Sequence, residues 1–315
     1  MRSLNAAALA LTLAASFGAQ AAAPQIKAQA PGYYRMMLGD FEVTALNDGT
    51  LMLPVDKLLR ENQPGQVLRA LQQAYLGLPL ETSVNGYLIN TGSKLVLIDT
   101  GAAGAYGPST GRLLAHLKAA GYQPEQVDEV YITHLHSDHA GGLLAEGKLA
   151  YPNATLRIAR QEAEHWLSEA AMAAAPEAAR GGFKAAQAVV KPYQEAGRFK
   201  PFDGDVELVP GVRAVATHGH TPGHTVYMVE SKGQKLAVWG DLMHVAAVQF
   251  PDPTVTITFD SDSAKAMPQR QKAYAAAAEA GYYVAVAHVS FPGIGRLRAD
   301  GKGYQWLPAN YSSKP

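Results

Sequence analysis

Apolar and polar residues alternate along the chain in short bursts closed by turn pairs, and stretches of helical spacing separate the bursts. After Gln29, Phe41–Asn47 alternates and runs into Asp48-Gly49, a pair that predicts a hairpin. From Pro64 to Leu76 the apolar residues Val67, Leu68, Leu71 and Tyr75 fall at helical spacing. Val84–Ile89 and Lys94–Ile98 read as two strands joined at Thr91-Gly92. A helix is expected over Thr110–Ala120, a buried strand over Val127–Thr133, a short strand over Leu156–Ala159 and a helix over Arg160–Ala171. The second half repeats the pattern. Val206–Leu208 and Val212–Thr217 read as strands, and Thr225–Glu230 with Lys235–Trp239 as a hairpin about Lys232-Gly233. Ser263–Ala280 follows as a long amphipathic helix and Tyr283–Ala287 as a last buried strand. Strand pairs followed by helices, twice over, predict two sheets face to face with helices outside, a four-layer α/β/β/α sandwich. No linker-rich segment or fixed repeat divides residues 24–315, so one domain is expected.

The N-terminus has a different pattern. Arg2 precedes an apolar, alanine-rich run from Ala6 to Phe17, and Ala19, Ala21, Ala22 and Ala23 follow. This is the order of a secretory signal peptide, expected over residues 1–23 with cleavage near Ala21 or Ala23, and it predicts a periplasmic or secreted protein. The apolar run is too short for a permanent membrane span. Charge and cysteine content narrow the chemistry. With 27 basic and 27 acidic residues and no long run of either sign, no nucleic-acid surface is expected. The absence of cysteine excludes disulfides, thiolate ligands and a thiol nucleophile.

The strand at Val127–Ile132 runs directly into Thr133-His134-Leu135-His136-Ser137-Asp138-His139. His134 and His136, two apart in an extended segment, can turn their rings the same way, while Asp138 and His139 can face a second ion. Imidazole and carboxylate suit two divalent ions, zinc first, with Mn, Co or Fe as alternatives. Gly141-Gly142 is expected to let the backbone turn away into a helix. Further ligands are needed at other strand ends, and His220, Asp241 and His288 are the candidates. His116 and His218 read as ordinary surface or core histidines, and His165 could be either packing or functional.

His134-Leu135-His136-Ser137-Asp138-His139, with His220, Asp241 and His288 downstream, resembles the metallo-β-lactamase superfamily from about Tyr34 to the C-terminus. The resemblance implies that His134, His136 and His220 hold one metal, that Asp138, His139 and His288 hold the other, and that Asp241 bridges them. It makes Asp99, in Ile98-Asp99-Thr100-Gly101, the aspartate that supports the metal loop from behind, and His224 a packed or hydrogen-bonded residue. Two ions sharing Asp241 can generate a bridging hydroxide near neutral pH and polarise an electrophile, so the implied reaction is hydrolysis. Asp241 and Asp138 are the expected catalytic carboxylates, Asp138 as a proton relay to the leaving oxygen.

Within the superfamily, the lack of cysteine excludes the cysteine-using β-lactamases, and Asp241 counts against the cysteine-free ones. Gly240–Phe250 and Ala287–Gly295 resemble the methyl parathion hydrolase family and its lactone- and aryl-ester-hydrolysing relatives, the dihydrocoumarin hydrolase type included. That likeness implies a pocket with an aromatic cluster of Tyr106, Trp166 and Phe183, and a rim of Leu59, His244, Ile257 and Phe259. A bulky rim suits a planar lactone or aryl ester. Phosphotriester hydrolysis by the same machinery is the alternative reading, and a homodimer is the assembly that similar proteins suggest.

Overall fold

A computed structural model describes residues 23–313. The expected signal peptide lies outside the described residues, apart from Ala23. Thirteen strands build the two main sheets. In the first, β1 (Tyr33–Leu38), β2 (Phe41–Leu53), β3 (Leu80–Asn90), β4 (Leu95–Ile98), β5 (Glu129–Tyr131) and β6 (Thr155–Arg157) lie side by side in chain order. In the second, β7 (Val206–Val209), β8 (Val212–Ala216), β9 (Thr225–Ser231), β10 (Gln234–Val238), β11 (Tyr283–Ala285), β12 (Ile294–Asp300) and β13 (Gly303–Pro308) do the same. Neighbours are antiparallel except where β4, β5 and β6 run parallel and where β10 meets β11.

Period-two alternation sorts each strand between two cores. Val96 and Ile98 of β4 join Tyr87 and Ile89 of β3 and meet Val212, Tyr227, Leu236 and Val238 of the second sheet, which forms the core between the sheets. Leu95 and Leu97 point the other way. There they meet helix α2 (Leu113–Ala119) and helix α6 (Arg180–Glu195) through Leu113, Leu117, Phe183 and Val190. Ala237, Trp239 and Val284 cover the outer face of the second sheet and pack under Tyr274 and Ala277 of helix α8 (Ser263–Ala280). Three cores separate four layers, the sandwich that the hydrophobic pattern predicts. Further helices that bear on the site are α1 (Gln66–Gln73), α3 (Ser137–Ala140), α4 (Arg160–Trp166), α5 (Glu169–Ala174) and α7 (Ala246–Gln249). A small fourth core joins α1 and α7 through Val67, Leu71 and Val248. No helix among the described residues is long and apolar enough to cross a membrane.

The sequence reading needs correction at several elements. Asp48-Gly49 is not a hairpin turn. Strand β2 continues through it to Leu53, with a register shift between Asn47 and Gly49. The bulge seats the loop that follows β4. A Cβ on Gly49 would lie 1.8 Å from the Ser109 carbonyl oxygen, and the Asp48 carboxylate accepts from the backbone N–H groups of Ala102, Gly111 and Leu113 at 2.9–3.0 Å. Gly141-Gly142 follows helix α3 and opens only a single 3-10 turn, Gly141–Leu143, where a longer helix was expected. A Cβ on Gly142 would lie 2.0 Å from the Thr100 carbonyl oxygen, so what the position requires is close approach. The stretch expected as one helix to Ala171 breaks after Trp166, and Ser168 caps the next helix by accepting from Ala171 N–H at 3.1 Å. The pattern reading also left out β1, α6 and the terminal β12–β13 hairpin.

Replacing Asp48 with Ala strands two buried backbone donors, those of Ala102 and Leu113, and the partly buried one of Gly111. The expected cost is about 3 kcal/mol or more, read as a lower denaturation midpoint at unchanged slope.

Candidate metal centre

Each candidate ligand sits just beyond a strand of one of the two sheets, Asp138 and His139 in the short helix α3 and the others in loops. His134, His136, Asp138 and His139 follow β5, His220 lies between β8 and β9, Asp241 follows β10 and His288 follows β11. The loops meet at one edge of the sandwich. Two ligand sets result. His134, His136, His220 and Asp241 form one group and Asp138, His139 and His288 another, with ligand atoms within 4.8 Å of one another in each.

Asp241 stands between the groups. Its Oδ2 lies 3.3 Å from His220 Nε2 and 3.6 Å from His134 Nε2, while its Oδ1 lies 3.1 Å from both His139 Nε2 and His288 Nε2. Asp138 Oδ2 is 3.5 Å from His288 Nε2 and 3.7 Å from His139 Nε2. His136 Nδ1 lies 3.0 Å from His134 Nε2 and 3.1 Å from His220 Nε2.

Hydrogen bonds on the far side of the rings fix which nitrogen faces inward. His139 donates through Nδ1 to Asp99 Oδ2 at 2.8 Å, His288 through Nδ1 to the Ser83 carbonyl at 2.9 Å, and His220 through Nδ1 to Asp260 Oδ1 at 3.0 Å. His134 Nδ1 donates to Thr133 Oγ1, which itself donates to Asp99 Oδ2. Each Nδ1 is therefore held as the donor nitrogen, so that the neutral ring presents its Nε2 lone pair to the centre. Buried lone pairs that face one another at about 3 Å repel unless a cation lies between them. His139 Nε2 and Asp241 Oδ1 have no hydrogen-bond partner, as expected of ligand atoms. The donor set of histidine nitrogen and carboxylate oxygen fits divalent metal.

Asp99, where the resemblance places its supporting aspartate, also accepts from Thr133 N–H at 2.8 Å and thereby anchors the start of the metal loop. His224 is a packed residue. Its Nδ1 bonds Thr217 Oγ1 at 2.8 Å, and its Nε2 accepts from Asp241 N–H at 3.0 Å, so it positions the carboxylate that stands between the two groups. Sequence reasoning missed three supports. Asp260 reads as part of a helix cap beside Asp262, and the Ser83 carbonyl has no signature at all. Glu162 lies fully buried in α4, where it accepts from Leu135 N–H, Thr221 Oγ1 and Gly223 N–H at 2.7–2.8 Å and joins the His136 loop to the His220 loop.

The centre opens into a cavity of about 570 Å³ lined chiefly by Leu51, Met52, Leu53, Tyr106, His244 and Phe259 around the metal-facing groups. Of the expected pocket residues, Tyr106, His244 and Phe259 line it. Leu59, Trp166, Phe183 and Ile257 do not. Leu59 and Ile257 pair in a two-stranded ribbon and pack in the small fourth core, while Trp166 and Phe183 pack in the outer core of the first sheet. Each is large and apolar, so burial behind the wall stabilises it more than a wet surface would. They shape the cavity from behind: the Trp166 ring meets His136 edge-on, with centroids 5.5 Å apart. His165 packs beside them on Phe183 at 5.0 Å. His244 lies closer to the centre than a rim residue. Its Nε2 is 3.0 Å from Asp241 Oδ2, and with Asp241 and His288 it forms a third group able to hold a cation.

Burial holds His134 well below the ordinary imidazole range and His136 down at about 3, so both are neutral ligands. Burial also works against the charged form of His220, but Asp241 and Asp260 outweigh it and raise that ring to about 9. His139 and His288 are raised in the same way, against burial, with Asp241 as the leading carboxylate.

The chain belongs to the metallo-β-lactamase superfamily, whose family model matches residues 80–288. Its members of this kind are metal-dependent hydrolases of ester bonds, and so is this protein. Among solved structures it is similar to the hydrolase AbOPH of the β-lactamase superfamily, at 39% identity and a TM-score of 0.86 over 91% of this chain and 100% of that one. It is also similar to AidC, a dizinc quorum-quenching lactonase solved with the product N-hexanoyl-L-homoserine, at 27% identity and a TM-score of 0.82 over 90% and 99%. An N-acyl homoserine lactonase of Bacillus cereus is 29% identical over 60% of this chain and 70% of its own length.

Two outcomes test the centre. Asp241→Ala removes the carboxylate that faces both groups, and metal content and hydrolysis should fall together, read by elemental analysis beside an activity assay. Zinc uptake by the metal-free protein at pH 7 should expel protons from His220, His139 and His288. Because their pKa values are raised, these rings are charged below about pH 9 in the case of His220, so proton release should shrink and apparent affinity rise as the pH approaches 9. Calorimetry in buffers of differing ionisation enthalpy reads that release.

Proposed function

We propose that the protein is a dinuclear metallohydrolase of neutral lactones and aryl esters, with aromatic lactones such as dihydrocoumarin as model substrates. The observation that carries this reading is the wall chemistry. Apolar and aromatic side chains surround the centre, and no Lys or Arg among the described residues lines the cavity. An anionic substrate would find no protein cation to fix it, whereas a flat neutral ester can lie against Tyr106 and Phe259. Lactonase relatives support the class of bond. In the proposed assignment His134, His136 and His220 hold one ion, Asp138, His139 and His288 the other, and Asp241 spans them. When bound, the two ions, zinc in the first instance, supply an activated water and polarise the carbonyl.

The protein's own groups do the rest. Asp99, Ser83 and Asp260 hold three imidazoles in their ligand tautomer. Tyr106 keeps its proton, because partial burial first and the Asp138 carboxylate second push it up to about 12, so its hydroxyl is a donor at working pH. Asp138, less buried than Asp241, is placed to take the proton that the attacking water gives up and pass it to the leaving oxygen. The alanine-rich N-terminal segment supports export to the periplasm or beyond, with cleavage near Ala21 or Ala23.

The deciding experiment measures kcat/KM for dihydrocoumarin, N-hexanoyl homoserine lactone and methyl paraoxon on zinc-loaded and chelated protein. An excess of about tenfold or more for a lactone over the phosphotriester, abolished by chelation, is expected. An excess for methyl paraoxon would overturn the carbonyl reading and leave the metal centre standing. Preference for the homoserine lactone over dihydrocoumarin would correct the aromatic part alone.

A further inference from the structure

Phe259 and Asp260 are consecutive residues with opposite surroundings. Phe259 lines the cavity. The Asp260 side chain is only 1% exposed and accepts from His220 Nδ1. The same turn grips the His220 loop through its backbone, since Ser261 N–H donates to the His220 carbonyl at 2.8 Å and Asp262 N–H to the Gly219 carbonyl at 2.9 Å. A Cβ on Gly219 would lie 2.2 Å from Ala266 N, so the first turn of α8 presses directly on that loop.

Behind Asp260 lies a second charge. Arg270 of α8 is 1% exposed, and its guanidinium lies 3.7 Å from Asp260 Oδ2. It donates through Nε to the Leu242 carbonyl at 2.7 Å and through Nη1 to the carbonyls of Val255 and Pro253, while Nη2 faces Asp260. Leu242 directly follows the bridging Asp241. One buried guanidinium therefore ties together the Asp241 loop, the segment that leads to the cavity rim, and the carboxylate that holds His220. A planar fork with fixed donors suits such a junction; a lysine does not supply that geometry. Buried and unpaired, the cation would be costly, and Asp260 is its one ion-pair partner among the described residues.

We propose that Asp260 and Arg270 are positioning residues for the metal centre. Arg270 locks Asp260, Asp260 orients His220, and the shared turn couples the affinity of the first cation site to the position of the Phe259 rim. The competing account is an ion pair that only fastens α8 to the sandwich. This proposal rests on the metal-centre reading and not on the choice of substrate.

Zinc alone is the first probe, titrated against a chromophoric chelator, and cobalt(II) the second, through its visible ligand-field absorption. In Asp260→Asn, the affinity for the ion at His134, His136 and His220 should fall by about 10- to 100-fold, the usual effect of losing an outer partner of a ligand histidine. The cobalt spectrum should shift, and the ratio of kcat/KM for dihydrocoumarin to that for p-nitrophenyl acetate should change as the rim moves. Asp260→Glu should recover part of the affinity. Arg270→Met should weaken zinc in the same direction, and should add nothing in the Asp260→Asn background. If Arg270→Met fails to fold, Arg270→Lys, which keeps the charge and loses the fork, carries that arm. Unchanged zinc affinity and an unchanged cobalt spectrum in Asp260→Asn, with only a lower Tm, would reduce the pair to a fastening of α8. Wild-type protein that takes up no zinc would instead sink the metal-centre reading beneath it.

Discussion

Five imidazoles, those of His134, His139, His220, His244 and His288, place Nε2 within 3.6 Å of one buried carboxylate, Asp241. That crowding is the constraint on which the rest of the architecture depends. Four of the five rings turn their protonated nitrogen outward, so their lone pairs converge on a space that hydrogen bonding within the protein leaves unsatisfied. The proposed pair of divalent ions would resolve the conflict, since each cation would give the facing donors a common partner. The fold must then hold donors in place that would drive one another apart without it.

It does so by anchoring each ring to a different part of the molecule. His139 is tied to the end of β4 through Asp99, His288 to β3 through the Ser83 carbonyl, and His220 to the loop before α8 through Asp260. Asp99 sits at φ +59°, a conformation unfavourable for a residue with a side chain, and its hydrogen bonds to Thr133 and His139 hold it there. Glycines appear where backbone must touch backbone, as at Gly142 against Thr100. Precision at the centre is distributed over both sheets and two of the outer helices.

Much of this is legible in the sequence, for physical reasons that differ between elements. Strands such as Leu95–Ile98 announce themselves because alternate residues serve two different cores. The His134–His139 run is conspicuous because four donors in six residues have no packing explanation. The Asp48-Gly49 bulge was misread because a turn pair and a bulge make the same local demand, and only the distant Ser109 loop decides between them. The outer partners were harder to read. Asp260 looks like any acidic residue before a helix, and a backbone carbonyl such as that of Ser83 leaves no trace in the residue type. The pocket was half legible. Aromatic identity points to the neighbourhood, but that Trp166 and Phe183 pack behind the cavity and do not line it depends on α6, an element without a clear signal in the pattern.

The strands of each sheet follow one another in chain order, the first sheet closing before residue 160 and the second beginning after residue 205. The donors divide along the same line, His134 to His139 from the first half and His220 to His288 from the second. Neither half owns a full coordination set. A cation bound at this edge would therefore bridge the two halves of the sandwich as well as the ligands, adding a polar tie to the apolar core that already joins the two sheets.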